Sequence, residues 1–282
     1  MPIRTVGIVG AGTMGRGIAG VFARAGIDVL LADTCKSTAI RAAAGVLDSM
    51  ERAVVCGGLS PEERARAVGH VRPVACETDL SPADLLIEAV PEDADLKATV
   101  LHRIEPLLGH EAIIASNTSS VSITRLASAL TRPDRFIGMH FFNPAPLMRL
   151  VEIVRGLRTS DATHDAVEAL VVRLGKTPIT VKNSPGLVVN RLLLPMLNEA
   201  FTVLGDHQAE ASDIDDAMRL GCNQPMGPLT MADLIGLDVV LASMQRLHEE
   251  LGDAKYRPAP LLREMVAAGY LGRKSGRGVY RY

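Results

Sequence analysis

Up to Lys182, short apolar and β-branched runs alternate with longer helical patterns. The runs predict strands, and several are apolar at consecutive positions, as in strands covered on both faces of a sheet. The predicted strands are Thr5–Val9, Asp28–Ala32, Leu85–Val90, Ala112–Ala115, Phe136–His140, Leu150–Val154 and Pro178–Val181. This alternation is typical of βαβ units and predicts an α/β fold with a doubly wound, parallel sheet.

The pattern changes after Lys182, where the strand runs stop. Residues 183–186, Asn-Ser-Pro-Gly, are typical of a hinge, and Gly or Pro separates the helical patterns that follow. Four helices are predicted, over about 187–204, 213–220, 229–251 and 260–268. The sequence therefore predicts a cofactor-binding domain over residues 1–184. An all-helical domain over 185–282 is expected to close a cleft against it.

Some helix ends are also predicted from local sequence. Ser60, Pro61 and Glu63 form a capping box with proline at the first helical position. Gly26 and Gly109 lie where the preceding helical patterns should end.

Composition and charge exclude several classes of protein. The chain has 282 residues, of which 48% are apolar and 22% charged, as in ordinary globular proteins. A net charge of −2 gives no basic field for nucleic acid. No apolar run approaches the roughly 18–20 residues of a membrane span, and no signal peptide is expected. The four cysteines have no paired spacing, so we expect no metal site and a cytoplasmic location.

A glycine-rich turn follows the first predicted strand and opens a helix. In this context the G-x-G-x-x-G pattern predicts a dinucleotide site of the Rossmann type. The first glycine permits the turn, the second admits a pyrophosphate, and the third allows close helix packing, while the helix N-terminus attracts phosphate. The residues are Gly10, Ala11, Gly12, Thr13, Met14 and Gly15.

Asp33 follows the second strand, eighteen residues after Gly15. A carboxylate at this position accepts hydrogen bonds from the adenosine ribose and repels a 2′-phosphate, which favours NAD over NADP. Lys36 is a candidate partner for such a 2′-phosphate, and this would favour NADP instead. The structural alternative for Asp33 is a helix N-cap or turn residue.

His140 ends a predicted strand, where ligands bind in such sheets, and can take a hydroxyl proton at neutral pH. Glu152 lies inside the next apolar strand, and a buried carboxylate needs a partner. If the Pro144–Pro146 turn lets the two strands lie side by side, Glu152 orients His140 as a general base. A single strand histidine is more often structural.

Two other polar groups are predicted near the same cleft. The Ser116–Ser120 segment follows a strand and can orient a substrate oxygen, or cap the helix that starts near Ser122. Asn190 lies on an apolar helical stripe with Leu194, Leu197 and Phe201, and a buried amide there needs hydrogen bonds.

From Val6 to Tyr280 the chain resembles the short-chain L-3-hydroxyacyl-CoA dehydrogenases, and most closely the bacterial 3-hydroxybutyryl-CoA group. The resemblance rests on long motifs in the same order. They are Gly10–Gly15, Ala115–Ser120, Gly138–Pro144, Asn183–Gly186, Val189–Arg191, Gly227–Pro228, Ala232–Asp233, Gly236–Asp238 and Gly272–Gly276.

The resemblance implies roles for individual residues. His140 is the general base, Glu152 orients it, and Ser119 and Asn190 hold the reacting end of the substrate. Positions that contact NAD or lie beside the nicotinamide are Glu92, Lys97, Asn117, Ser119, Asn143 and Lys274, of which Asn143 also faces substrate. The resemblance also implies an acyl-CoA substrate and a homodimer formed through the C-terminal domain.

The chain departs from this family where relatives carry lysines toward coenzyme A. Residues 52–58 read Arg-Ala-Val-Val-Cys-Gly-Gly, so Arg52 alone keeps a charge, and weaker binding of coenzyme A is expected.

The prediction is an NAD-dependent oxidoreductase that converts short-chain (S)-3-hydroxyacyl-CoA to 3-oxoacyl-CoA. Two alternatives stay open: a related dehydrogenase of a free hydroxy acid of the gulonate or carnitine type, and a non-catalytic NAD-binding module. A 6-phosphogluconate-type enzyme is disfavoured, because the corresponding helix offers Asn190 rather than a lysine base.

Overall fold

The computed structural model describes residues 3–282. The chain divides into two compact units, of which the first ends at Ser184 and the second begins at Pro185. The first unit is α/β and the second is helical, and each is described by itself below.

The N-terminal unit is built on an eight-stranded sheet with the order β3-β2-β1-β4-β5-β6-β7-β8. All neighbouring strands are parallel except β6 and β7, which are antiparallel. The strands are β1 (Thr5–Val9), β2 (Asp28–Ala32), β3 (Val71–Pro73), β4 (Leu85–Glu88), β5 (Ile113–Ser116), β6 (Phe136–Phe141), β7 (Leu150–Arg155) and β8 (Thr177–Lys182).

The central strands are buried on both faces, which explains why they are apolar at consecutive positions: every residue of β4, β5 and β6 is buried. The sheet is flanked by α1 (Thr13–Arg24), α2 (Lys36–Val55), α3 (Pro61–Val68), α4 (Ala94–Ile104), α5 (Ile123–Ala127) and α6 (Asp161–Arg173). The Rossmann-like fold class is therefore confirmed.

The local predictions hold with small shifts. All seven predicted strands are present, with ends displaced by at most two residues. The capping box at α3 is formed, since the Ser60 hydroxyl accepts from the Glu63 amide at 3.1 Å and the Glu63 carboxylate accepts from the Ser60 amide at 2.8 Å. Strand β3 was not predicted, because a three-residue edge strand that includes proline carries no periodic signal.

The C-terminal unit contains α7 (Val189–Gly205), α8 (Ala211–Cys222), α9 (Pro228–Ile235), α10 (Leu237–Leu251) and α11 (Pro260–Ala267). The single helix predicted over 229–251 is wrong. Gly236 divides it into α9 and α10, because its φ of +107° is incompatible with a continuous helix. The core includes Leu197, Phe201 and Met244, all fully buried. Among residues 3–282, no helix is long and apolar enough to cross a bilayer.

Candidate active site

The glycine turn between β1 and α1 leaves backbone exposed where a ligand would approach. Gly10 has a φ of +97°, and a Cβ there would lie 2.5 Å from the Ala89 carbonyl oxygen. A Cβ at Gly15 would lie 1.8 Å from the Gly10 carbonyl oxygen. By contrast, a Cβ at Gly12 would meet nothing within 4 Å. Gly12 is also the N-cap of α1, so the open space adjoins the positive end of the helix.

Asp33 connects the end of β2 to this turn. One carboxylate oxygen accepts from the Ala11 amide at 2.7 Å, and the other accepts from the amide and hydroxyl of Thr34 at 2.7 and 3.1 Å. Asp33 therefore stabilises the turn as well as lying beside it. A carboxylate offers about four acceptor positions, so capacity for a ribose hydroxyl remains.

A buried polar network lies at the carboxyl ends of β4 and β5. Glu88, Lys97 and Ser116 are fully buried. The Lys97 ammonium donates to Glu88 at 2.9 Å and to the Val90 carbonyl at 3.1 Å, and the Ser116 hydroxyl donates to Glu88 at 2.5 Å. These bonds compensate for the burial of two charges. Sequence reasoning missed Glu88, although an acid inside an apolar strand is the same signal that identified Glu152.

Glu92 extends this network toward the Thr118–Ser120 segment. Its carboxylate pairs with Lys97 at 3.1 Å and accepts from the hydroxyls of Thr118 and Ser120 at 2.5 and 2.7 Å. The Ser119 amide also donates to it, at 3.1 Å. Burial raises the pKa of Glu92, but Lys97 and the two hydroxyls outweigh burial and hold the pKa below 4.5.

His140 and Glu152 lie directly opposite each other in the antiparallel pair of β6 and β7. Nδ1 of His140 lies 2.8 Å from a Glu152 carboxylate oxygen, and both side chains are buried. Beside them, the Asn117 side-chain oxygen accepts from the Phe141 amide at 2.9 Å and so connects the ends of β5 and β6. The predicted contact between the two strands is therefore present.

The segment between β6 and β7 forms one wall of a cavity of about 600 Å³. Asn143 lines this wall, and α1 and α2 contribute three cationic side chains, Arg16, Arg24 and Arg52. We call this space the arginine-lined cavity. Arg16 and Arg24 were missed in the sequence, although they share one face of α1 with Thr13, Gly17 and Gly20.

Lys176, the residue directly before β8, holds the same wall of the cavity. Its ammonium donates to the carbonyl oxygens of Ala145 and Met148 at 2.7 and 2.6 Å. Burial, followed by repulsion from Arg24, lowers the pKa of Lys176.

Two site residues were predicted in the C-terminal unit, Asn190 and Lys274, and their surroundings differ from each other. Asn190 is half-buried in the first turn of α7, so the expectation of an amide buried among leucines is wrong for this residue. The buried amide of α7 is Asn198, which donates to the Arg257 carbonyl at 3.1 Å and accepts from the Ala259 amide at 2.7 Å. Lys274 donates to the Asp238 carboxylate at 2.6 Å.

One group of potential metal ligands occurs in the described part of the chain. Ligand atoms of His164, Asp165 and Glu168 on α6 lie within 4.8 Å of one another. Both ring nitrogens of His164 already have partners, Asp165 at 3.0 Å and Thr180 at 2.7 Å. This histidine–carboxylate pair therefore provides a comparison for His140 and Glu152.

Comparison with known proteins covers both units. Residues 5–184 match the 3-hydroxyacyl-CoA dehydrogenase NAD binding domain, and residues 186–282 match the C-terminal domain of the same family. The chain is 47% identical over 280 residues to a 3-hydroxybutyryl-CoA dehydrogenase of Bradyrhizobium diazoefficiens, covering 99% of this chain and 96% of that protein. A homologue of the same name from Clostridioides difficile is 46% identical, with 98% of each chain covered.

Comparison with solved structures indicates the same family. A crystal structure of (S)-3-hydroxybutyryl-CoA dehydrogenase from Ralstonia eutropha has a TM-score of 0.95 and 56% identity, with 99% of both chains covered. The predictions of an oxidoreductase and of NAD as its cofactor are thereby confirmed. The chain belongs to the 3-hydroxyacyl-CoA dehydrogenase family.

Proposed function

We propose that the protein oxidises a short-chain (S)-3-hydroxyacyl-CoA to the 3-oxoacyl-CoA, and catalyses the reverse reaction, with His140 as general base. The observation that carries this proposal is the 2.8 Å contact between His140 Nδ1 and Glu152 in register across β6 and β7. A buried histidine held by a carboxylate at one ring nitrogen has a fixed tautomer, which leaves the other nitrogen to act as a base.

In this mechanism Glu152 occupies Nδ1, so Nε2 of His140 takes the proton of the substrate hydroxyl. Bound NAD supplies the acceptor for the hydride that leaves C3. The proton and hydride together account for the two hydrogens lost, and the carbon–oxygen bond becomes a carbonyl. Ser119 and Asn190 orient the reacting oxygen, while burial of the pair excludes water that would compete for the proton.

The proposed NAD site follows the exposed backbone of the glycine turn. Amide groups at the start of α1 bind the pyrophosphate, and Asp33 accepts from the adenosine ribose. The buried ion pairs of Lys97 fix Glu92 and the adjacent segment. The full set is Gly10, Ala11, Gly12, Thr13, Met14, Gly15, Asp33, Glu92, Lys97, Asn117, Ser119, Asn143 and Lys274.

Coenzyme A is assigned to the arginine-lined cavity. Arg52 is joined there by Arg16 and Arg24, so the cationic lining is stronger than residues 52–58 predict. Guanidinium groups bind phosphate well because their donors match its geometry. The names of the relatives in Bradyrhizobium diazoefficiens and Ralstonia eutropha support a four-carbon acyl group.

The test replaces each member of the pair. His140→Gln and Glu152→Gln should each lower kcat for acetoacetyl-CoA reduction by at least about ten-fold, since general-base catalysis contributes about 10²–10⁴-fold. NADH binding, measured by fluorescence titration, should stay nearly intact. The matched control is His164→Gln, which removes a second histidine–carboxylate pair of the same unit. Wild-type kcat in both pair variants would disprove the assignment.

The same assay examines the substrate class. Activity with acetoacetyl-CoA and none with acetoacetate is expected, because the free acid lacks the phosphates that the arginine-lined cavity binds. Activity with the free acid alone would establish a free hydroxy acid dehydrogenase, and NADH binding without turnover of either compound would establish a non-catalytic module.

We also infer a homodimer formed through the C-terminal unit, in the cytoplasm. Supporting the dimer, Leu192 and Leu220 of this unit are 70% and 79% exposed. Supporting the location, none of the four cysteines forms a disulfide.

A further inference from the structure

An exposed leucine lies on the wall of the arginine-lined cavity. Leu147 is 74% exposed and is one of the residues that line the cavity. It belongs to the segment between β6 and β7, which begins directly after the strand that carries His140. Single exposed leucines are ordinary on protein surfaces, so exposure alone assigns no role to Leu147.

The backbone that carries Leu147 is held by four hydrogen bonds. The amides of Leu147 and Met148 both donate to the Pro144 carbonyl, at 3.0 and 3.1 Å. The Lys176 ammonium donates to the carbonyls of Ala145 and Met148, at 2.7 and 2.6 Å. The turn is therefore closed on itself and tied to the residue before β8, and it presents an exposed apolar side chain on a fixed backbone.

The same turn packs against α1. Ala145 is buried, and a Cβ at Gly17 of α1 would lie 3.2 Å from the Cβ of Ala145. The glycine lets the turn approach the helix that carries Arg16 and Arg24. Leu147 and the two arginines thus line one cavity.

Lys176 has two conceivable roles beside this cavity. Repulsion from Arg24 contributes to the lowered pKa of Lys176, so its charge lies near a cation that lines the cavity. One role is attraction of phosphate by this charge, and the other is positioning of the wall. The two bonds to wall carbonyls use two of the three donors of the ammonium, which favours positioning.

We propose that Leu147 forms an apolar contact for the pantetheine arm of coenzyme A, and that Lys176 is a positioning residue that holds Leu147 in place. This rests on the proposed assignment of coenzyme A to the arginine-lined cavity. The arm joins the phosphates to the thioester, so it runs along this wall when the phosphates lie at the arginines and the thioester at His140. Its methyl and methylene groups cover the leucine, and a side chain on a fixed backbone loses little entropy on binding.

Two variants test the contact. Leu147→Ala should raise KM for acetoacetyl-CoA at least about five-fold with little change in kcat, because the arm is bound alike in the ground and transition states. Lys176→Met keeps the length of the side chain, removes its donors and should have the same effect. Wild-type KM in both variants would overturn the proposal.

Matched controls come from the same unit. Leu157 is 86% exposed and does not line the cavity, and Lys182 is an exposed lysine at the other end of β8. Leu157→Ala and Lys182→Met should therefore leave KM for acetoacetyl-CoA unchanged. Equal rises in KM for the controls and the test variants would contradict a specific contact at Leu147.

The double variant shows whether Lys176 acts through Leu147. If it does, Lys176→Met should raise the KM of Leu147→Ala by less than about two-fold. Independent, multiplying effects would overturn the positioning role. S-acetoacetylpantetheine, which has the arm but lacks the phosphates of the nucleotide, gives a second criterion. Each single variant should raise its KM by the same factor as for acetoacetyl-CoA, whereas an effect of Lys176→Met confined to acetoacetyl-CoA would show that Lys176 attracts phosphate instead.

Calorimetric titration with coenzyme A separates this inference from the proposed reaction. Binding needs no turnover, so Leu147→Ala and Lys176→Met should weaken it at least about five-fold even if His140→Gln keeps wild-type activity. Unchanged affinity in both variants, together with loss of turnover in His140→Gln, would refute the contact and leave the proposed function intact.

Discussion

Two carboxylates of the N-terminal unit are fully buried inside strands, and each is held by a basic partner. Glu88 meets Lys97 at 2.9 Å, and Glu152 meets His140 at 2.8 Å. An unpaired buried carboxylate costs several kcal/mol, so each strand position requires its partner. The partners differ in chemistry, because the ammonium of Lys97 can only donate hydrogen bonds, whereas an imidazole such as that of His140 has a second ring nitrogen that can accept one.

The charge of Glu92 is predicted to make the stability of the folded protein depend on pH. The folded protein holds its pKa below 4.5, so ionised Glu92 stabilises the fold above that pH, and this contribution is lost as pH falls through the folded value. Glu92→Gln should lower the free energy of unfolding at pH 7 by about 1–2 kcal/mol, and the difference from wild type should narrow near pH 4.

Thermal denaturation at both pH values measures this effect. Glu62→Gln is the control, because Glu62 is an exposed residue in the first turn of α3, and its replacement should leave the melting temperature nearly unchanged at either pH. An equal loss of stability at pH 7 and pH 4 would contradict the role assigned to the Glu92 charge.

A functional residue can be identified from sequence when its charge conflicts with the burial that the surrounding pattern predicts. Glu152 stands out because it interrupts an apolar strand, and its partner His140 lies only twelve residues away. Glu88 gives the same signal, but its partner Lys97 belongs to the next helix, and the direction of a helical side chain depends on packing. Arg16 and Arg24 are ordinary surface residues until α2 and the segment after β6 enclose a cavity around them.

At the scale of elements, the helix predicted over 229–251 is divided by one glycine. Gly236 is both the C-cap of α9 and the N-cap of α10. A Cβ there would lie 3.0 Å from a carboxylate oxygen of Asp238 and 3.1 Å from the ammonium of Lys274, which bond to each other. The break therefore adjoins the ion pair that holds Lys274.

Gly236→Ala should destabilise the protein, because alanine is strained at a φ of +107° and crowds this ion pair. We expect a loss of about 1–3 kcal/mol in urea denaturation. Gly221→Ala is the matched control: Gly221 lies in α8 with nothing within 4 Å of a built Cβ, and alanine there should be neutral or stabilise by up to about 1 kcal/mol. Equal effects of the two substitutions would show that backbone strain at Gly236 is not the cause.

Elements are predictable where periodicity is strong. The seven predicted strands have four or more residues each, whereas β3 has three and is too short to show a period. The apolar pattern continues across Gly236, so hydrophobicity alone joins α9 to α10, and only the backbone conformation of this glycine reveals the break.

For the whole molecule, the exposed leucines of α7 and α8 support a mass prediction. In solution the protein should have twice its chain mass of 30.0 kDa, measured by light scattering after size exclusion. Leu192→Asp combined with Leu220→Asp should give the monomer mass, because charges would be buried in the interface.

Leu157→Asp is the control for this experiment. Leu157 is 86% exposed and lies in the N-terminal unit, so its replacement should leave the dimer intact. A wild-type mass of one chain would contradict the dimer, and a dimer that survives both substitutions would place the interface elsewhere.

The antiparallel pairing of β6 and β7 holds His140 opposite Glu152, whatever the length of the segment that connects the two strands. The register is imposed by buried side chains, and a slip of one residue would turn Glu152 to the opposite face from His140. The segment 142–149 lies outside the paired strands, and part of it lines the arginine-lined cavity. Insertions or deletions in this segment can therefore remodel the arginine-lined cavity, to which we assign the acyl-CoA, while His140 and Glu152 stay in register.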